Sequence, residues 1–148
     1  MTTIMDRFGP LIGLWRGPIV LQDGRKGIAE FSFCPHFEGN LIELVALSID
    51  AETGESQAWG MAHLALDRAG RTVWRQFNQR IGFATLNEVD DDPGVLSASG
   101  SLSAGRQMMI SIRQDGDELA VTVSSGMPDG PKTVSRMRRA SRTLRERP

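Results

Sequence analysis

The sequence predicts an all-β chain, a single up-and-down antiparallel β-barrel of about ten strands, and three observations carry that expectation. Turn signals recur along the 148 residues, at Asp23-Gly24, Glu38-Gly39-Asn40, Glu52-Thr53-Gly54, Arg68-Ala69-Gly70, Asp92-Pro93-Gly94, Ala104-Gly105, Asp115-Gly116-Asp117 and Asp129-Gly130-Pro131. Gly supplies the positive φ of tight hairpins, and Asp or Asn tolerates it. The runs between these signals are about 8–12 residues long, the spacing of an antiparallel all-β domain. Many of those runs alternate in polarity with period two, and no central window shows helical periodicity.

Taken in order, Ile4 to Phe8 is expected as a short turn or 3-10 segment ahead of Gly9-Pro10. Ile19-Val20-Leu21 is apolar and rich in β-branched residues. In Ile28 to Phe33, Phe31 and Phe33 share one face and Glu30 and Ser32 the other, whereas Leu41 to Ile49 is more continuously apolar. Trp59, Met61 and His63 alternate with Gly60, Ala62 and Leu64; Val73, Arg75 and Phe77 alternate with Trp74, Gln76 and Asn78. The later runs are Gly82–Val89, Val95–Leu102, Met108–Arg113, Leu119–Val123 and Thr133–Arg139. Hairpin-linked strands without a long crossover form a meander, which loses its exposed edges most completely by closing into a barrel. A two-sheet sandwich is the alternative. The inward face of each strand stays open, because a one-residue slip exchanges the two faces.

The length suits one domain, 1–148, with 142–148 expected as a mobile basic tail. A net charge of −1 argues against a dedicated nucleic-acid binder. Arg outnumbers Lys, and Arg136, Arg138, Arg139, Arg142, Arg145 and Arg147 crowd the C-terminal end. One cysteine excludes an internal disulfide and a cysteine-based metal cage. No apolar run suits a signal segment or a membrane-spanning helix, so no membrane insertion is expected and the chain is read as cytoplasmic. A homodimer is left open.

Pro10-Leu11-Ile12-Gly13-Leu14-Trp15-Arg16-Gly17 is the most informative segment. A short turn followed by Gly-x-Trp at the start of a β-meander resembles the calycin superfamily, the lipocalins and fatty-acid-binding proteins. The longer Pro-Leu-x-Gly-x-Trp-Arg-Gly pattern is most similar to the nitrobindin-like branch. The resemblance implies a ten-stranded barrel in which Trp15 closes one end and a basic residue of the last strand, Arg136 or Arg138, packs across it. A guanidinium over an indole gains about 0.5–2 kcal/mol. It also implies haem held by a His near the C-terminus. Here the chain departs from the pattern: its histidines are His36 and His63, residues 133–138 contain none, and Tyr is absent. Met137 alone is a poor axial anchor, so haem is not expected.

The expected activity is binding of a small hydrophobic or amphipathic ligand inside the barrel. Trp59, Met61, His63, Arg75 and Phe77 are the candidate lining if their face looks inward: His63 as a hydrogen-bonding group or base, Arg75 as a fork for a carboxylate. Gln79 and Arg113 are weaker candidates of the same kind. Met108-Met109 suits either an adaptable lining or core filling. An enzyme on the same barrel would use His63 or His36 as acid or base, and Cys34 beside His36 is a conceivable nucleophile pair. A third reading is a protein-interaction module with a filled barrel. Asp90-Asp91-Asp92 is read as a solvated acidic loop, since adjacent strand carboxylates cannot all face one ion.

Overall fold

The computed structural model of the chain describes residues 3–21, 23–79, 82–89, 95–102, 105–126 and 132–141. The expected basic tail and the Asp90–Asp92 run lie outside them. The ten strands are β1 (Gly13–Val20), β2 (Lys26–His36), β3 (Leu41–Asp50), β4 (Ser56–Leu66), β5 (Thr72–Asn78), β6 (Gly82–Glu88), β7 (Val95–Ser101), β8 (Gln107–Asp115), β9 (Glu118–Gly126) and β10 (Lys132–Arg139). Each pairs antiparallel with the next, and β10 returns to β1. The sheet therefore closes as a barrel, and the sandwich alternative falls.

The N-terminal segment is a short helix, α1 (Ile4–Phe8), continued by a 3-10 turn at Gly9–Leu11. Its start is a capping box. The Thr3 hydroxyl accepts the Asp6 N–H at 3.1 Å, and the Asp6 carboxylate accepts the Thr3 N–H at 2.7 Å. Ile4, Phe8 and Leu11 are buried in the core, so the helix plugs one end of the barrel. Arg7 fastens the plug from the side, donating to both Glu88 carboxylate oxygens at 2.7 and 2.8 Å and to the Thr72 hydroxyl at 3.0 Å. The Thr72 N–H also donates to Glu88, at 2.7 Å. The Glu88 side chain is only 3% exposed, so its charge depends on these donors.

Trp15 lies beside the plug, 1% exposed, with its indole N–H donating to the Leu11 carbonyl at 2.9 Å. The cation across it is Arg139, 4.1 Å from the ring centroid, and not Arg136 or Arg138. Strand register explains the correction. Trp15 pairs with Arg139, whereas Arg136 and Arg138 have the outward parity and reach Glu118 at 3.3 and 3.2 Å. Arg139 also donates to the carbonyls of Ile12 and Pro10 at the end of the 3-10 turn.

Two glycines make room for this closure. Gly13 has φ +120°, and a Cβ there would sit 2.7 Å from an Arg139 guanidinium nitrogen. A Cβ on Gly17 would lie 2.1 Å from the Arg136 carbonyl oxygen, so β10 crosses β1 at a distance only Gly permits. Gly17→Ala is accordingly expected to cost at least about 2 kcal/mol through backbone displacement. Arg139→Met should cost about 1–2 kcal/mol, and Arg136→Met less than about 0.5 kcal/mol, because it removes only an exposed ion pair. Urea unfolding of the three variants checks this order; equal losses for the two Arg variants would contradict it.

Candidate functional site

Inside the barrel the two ends differ in side-chain size. Toward the helix, the inward positions carry Trp15, Phe33, Ile42, Leu44, Leu64, Trp74, Leu86, Ile112, Leu119 and Met137, all at most 3% exposed. Toward the other end the inward positions of β3 to β6 are small or neutral, with Ala46 and Ser48 on β3, Gly60 on β4, Asn78 on β5 and Ala84 on β6, while β1, β2 and β8 carry the larger Ile19, Phe31 and Met108 there. Ala46, Ser48, Asn78, Ala84 and Val123 point into the lumen yet are only partly buried. These partly exposed residues outline the mouth of the helix-distal half, a candidate cup above a packed floor.

The floor is a short hydrogen-bonded bar. Trp74 donates its indole N–H to Oε1 of Gln76 at 2.8 Å, and Nε2 of Gln76 donates to the Met108 sulfur at 3.3 Å. An indole nitrogen is a donor only, so the Gln76 oxygen must face Trp74 and the amide NH2 must face away. Gln76 pairs with Ala62 on one side and Ala84 on the other, and it is 8% exposed. Met108 is contributed by β8, so the bar joins residues 32 apart in sequence.

Asp50, at the cup's rim, is 2% exposed and organises the β3–β4 turn. Its carboxylate accepts the N–H groups of Glu52 at 2.8 Å and Thr53 at 3.0 Å, and Arg25 of the β1–β2 turn donates to its other oxygen. The Thr53 and Glu52 N–H groups hold the Asp50 carboxyl below the usual carboxylate range against the opposing effect of burial, and Arg25 adds to the lowering. Its unfolded value is about 3.9, so the ionised form adds stability above that pH, and this is lost as pH falls through the lower folded value. Asp50→Asn should therefore be less stable than wild type near neutrality, with the gap closing as pH falls below about 4. Unfolding curves across that range test this; a gap that does not change with pH would contradict it.

The five residues expected to line the lumen lie on the outer wall. Trp59 is 41% and Met61 38% exposed, the His63 and Arg75 side chains are also exposed, and Phe77 is partly buried. The face that looks inward is the other one, with Gly60, Ala62, Leu64, Trp74, Gln76 and Asn78. Met61, His63, Arg75 and Phe77 do come together, in a groove of about 440 Å³ completed by Phe83, Thr85 and Ser101, and Ala62, Gln76 and Ala84 reach it from the opposite parity. Phe77 sits at the centre of an aromatic row, 5.6 Å from Trp59 and 4.8 Å from Phe83 between ring centroids. Gln79 accepts the Trp59 N–H at 2.9 Å, Arg113 is exposed, and Met109 is exposed while Met108 faces in.

Both imidazoles are on this outer wall, flanking one carboxylate. Nε2 of His63 is 3.3 Å and Nε2 of His36 is 3.6 Å from the Glu43 oxygens. Cys34 is exposed on the neighbouring strand opposite Glu43, its thiol directed to the Pro35 carbonyl at 3.7 Å. Among the described residues, no group of three or more His, Cys, Asp or Glu is placed to hold a metal ion. The inward side chains Ser135 and Met137 on β10 include no imidazole, so the donor set does not fit an iron-bound haem in the lumen. Gln76, Ala46 and Ala84 were not marked by sequence reasoning. The available signal was the run of small residues at 60, 62 and 84, which outweighs the aromatic alternation of the opposite face.

No family model matches the chain, and no curated protein matches it. Among solved structures, the chain is similar to Rv2717c from M. tuberculosis, with a TM-score of 0.68 and 16% identity over 95% of this chain and 99% of that one. A redesigned β-barrel, mFAP1, bound to DFHBI, gives a TM-score of 0.47 at 14% identity over 90% and 99% of the two chains. A fluorescence-activating β-barrel of de novo design gives 0.46 at 13% identity over 95% and 100%. At 16% identity the likeness to Rv2717c speaks to the fold alone.

Proposed function

We propose that the protein binds a small, mostly apolar ligand in the helix-distal half of its lumen. The single observation behind this reading is the partial exposure of inward Ala46, Ser48, Ala84 and Val123 above a floor sealed by Trp74, Gln76 and Met108. Small side chains leave room at that level, whereas the helix end is filled. Removing apolar ligand surface from water would supply roughly 25 cal/mol per Å². Sequestration, with no covalent step, is the mechanism this geometry supports best.

Native mass spectrometry of freshly purified protein looks directly for a retained ligand as added mass. Titration with the neutral dye N-phenyl-1-naphthylamine supplies the mutational test. Ala46→Phe fills the cup and should weaken dye binding by at least about tenfold while the protein stays folded, as removal of the accommodating volume requires. Undiminished binding in that variant would place the dye elsewhere and count against the proposal.

A second reading is favoured by the outer groove of Met61, His63, Arg75 and Phe77. Exposed aromatics beside an Arg and a His form a surface for a ligand or protein partner, and the acid–base alternative through His63 or His36 would also act there. Retention of dye binding in Ala46→Phe together with its loss in Phe83→Ser would move the function to this wall. Turnover unchanged in His36→Ala and His63→Ala would remove the acid–base alternative.

A further inference from the structure

The polar character of the cup narrows the ligand further, given the lumenal-binding reading above. We propose that the cup selects electrically neutral ligands carrying a hydrogen-bond acceptor, such as a carbonyl oxygen, and discriminates against carboxylates. The first support is the fixed orientation of Gln76. Trp74 engages its oxygen, so the other end of the amide is a donor, and the partner that donor has is the thioether of Met108 at 3.3 Å. Thioether sulfur is a weak acceptor. A ligand oxygen reaching the floor would replace it with a stronger one.

The second support is the charge of the lumen. Among the described inward side chains, the ionised groups are Asp50, Glu88 and Arg139. Glu88 is taken by Arg7 at the sealed end, and Arg139 lies over Trp15 at that same end. Asp50 at the rim is anionic and occupied by its turn amides and Arg25. Arg75, the cation that would have suited a carboxylate, faces outward. A carboxylate in the cup would thus lose its hydration without gaining a counter-charge, at a cost that ordinarily forbids burial. A ketone or similar neutral group loses little on desolvation and gains the amide hydrogen bond.

Three probes of nearly equal size separate the possibilities: acetophenone, ethylbenzene and benzoate, titrated into the intact protein by NMR. Acetophenone should bind at least about a hundredfold more tightly than benzoate near neutral pH, as the desolvation of an unpaired carboxylate demands. In wild-type protein, the Gln76 side-chain amide resonance should move with acetophenone and stay nearly still with ethylbenzene. Gln76→Met should weaken acetophenone by about three- to tenfold and leave ethylbenzene unchanged or tighter. If that variant fails to fold, the amide resonance decides alone. Benzoate binding as tightly as acetophenone, or an amide resonance indifferent to the carbonyl, would overturn the inference while the cup stands. Failure of both neutral probes to enter would overturn the cup itself, and this inference with it.

Discussion

The guanidinium of Arg139 lies over the Trp15 indole and caps the carbonyls of Pro10 and Ile12, while the indole N–H takes the Leu11 carbonyl. This cluster stands where the last strand meets the first, and where the N-terminal helix turns into β1. Closing the meander at this seam removes both sheet edges, and the same groups hold the helix in the barrel's end. The motif Gly13-Leu14-Trp15-Arg16-Gly17 serves the seam through several of its members. Gly13 leaves space for Arg139, Gly17 admits the β10 backbone, and Arg16 pairs outward with Glu30 at 2.9 Å.

Once one end is sealed, the size gradient of the inward side chains acquires its meaning. A barrel open at both ends with Ala, Gly and Ser at one mouth would be a leaky tube. With the helix, Trp15, Trp74 and Gln76 beneath, the same small residues would line the blind cup proposed above. The Arg7–Glu88–Thr72 contacts reinforce the seal, so the plug is tied to β5 and β6 as well as to β1 and β10. Charge follows the same division. Ionised groups face outward or are committed to structure, and the inner wall of the cup is neutral apart from its rim.

Much of the fold was legible because it rests on local signals. Gly-bearing turns, period-two runs and the Gly-x-Trp opening each act over a few residues, and together they define ten strands and their antiparallel order. The site was less legible, for a physical reason. Alternation reveals that β4 and β5 have two faces, but both faces carry apolar residues: Trp59, Met61 and Phe77 on one, Leu64 and Trp74 on the other. The choice between them is made by distant partners, such as Met108 for Gln76. Arg139 was displaced by one position for the same reason, since only the β1–β10 register distinguishes it from Arg138. The Arg7–Glu88 pair, 81 residues apart, carries no local signature at all.

The central claim is that solvent and small molecules enter the helix-distal lumen of the native protein and stop at the floor. Cysteine-labelling rates measure this most directly. In a Cys34→Ser background, single cysteines replace Ala46 and Ser48 in the cup, and Ala98 in the sealed half, where it is 0% exposed. With a small methanethiosulfonate reagent, Ala46→Cys and Ser48→Cys should react in the folded protein at rates set by reagent concentration. Ala98→Cys should react only as fast as the barrel opens. Equal protection at all three positions, or rapid labelling at position 98, would contradict the account.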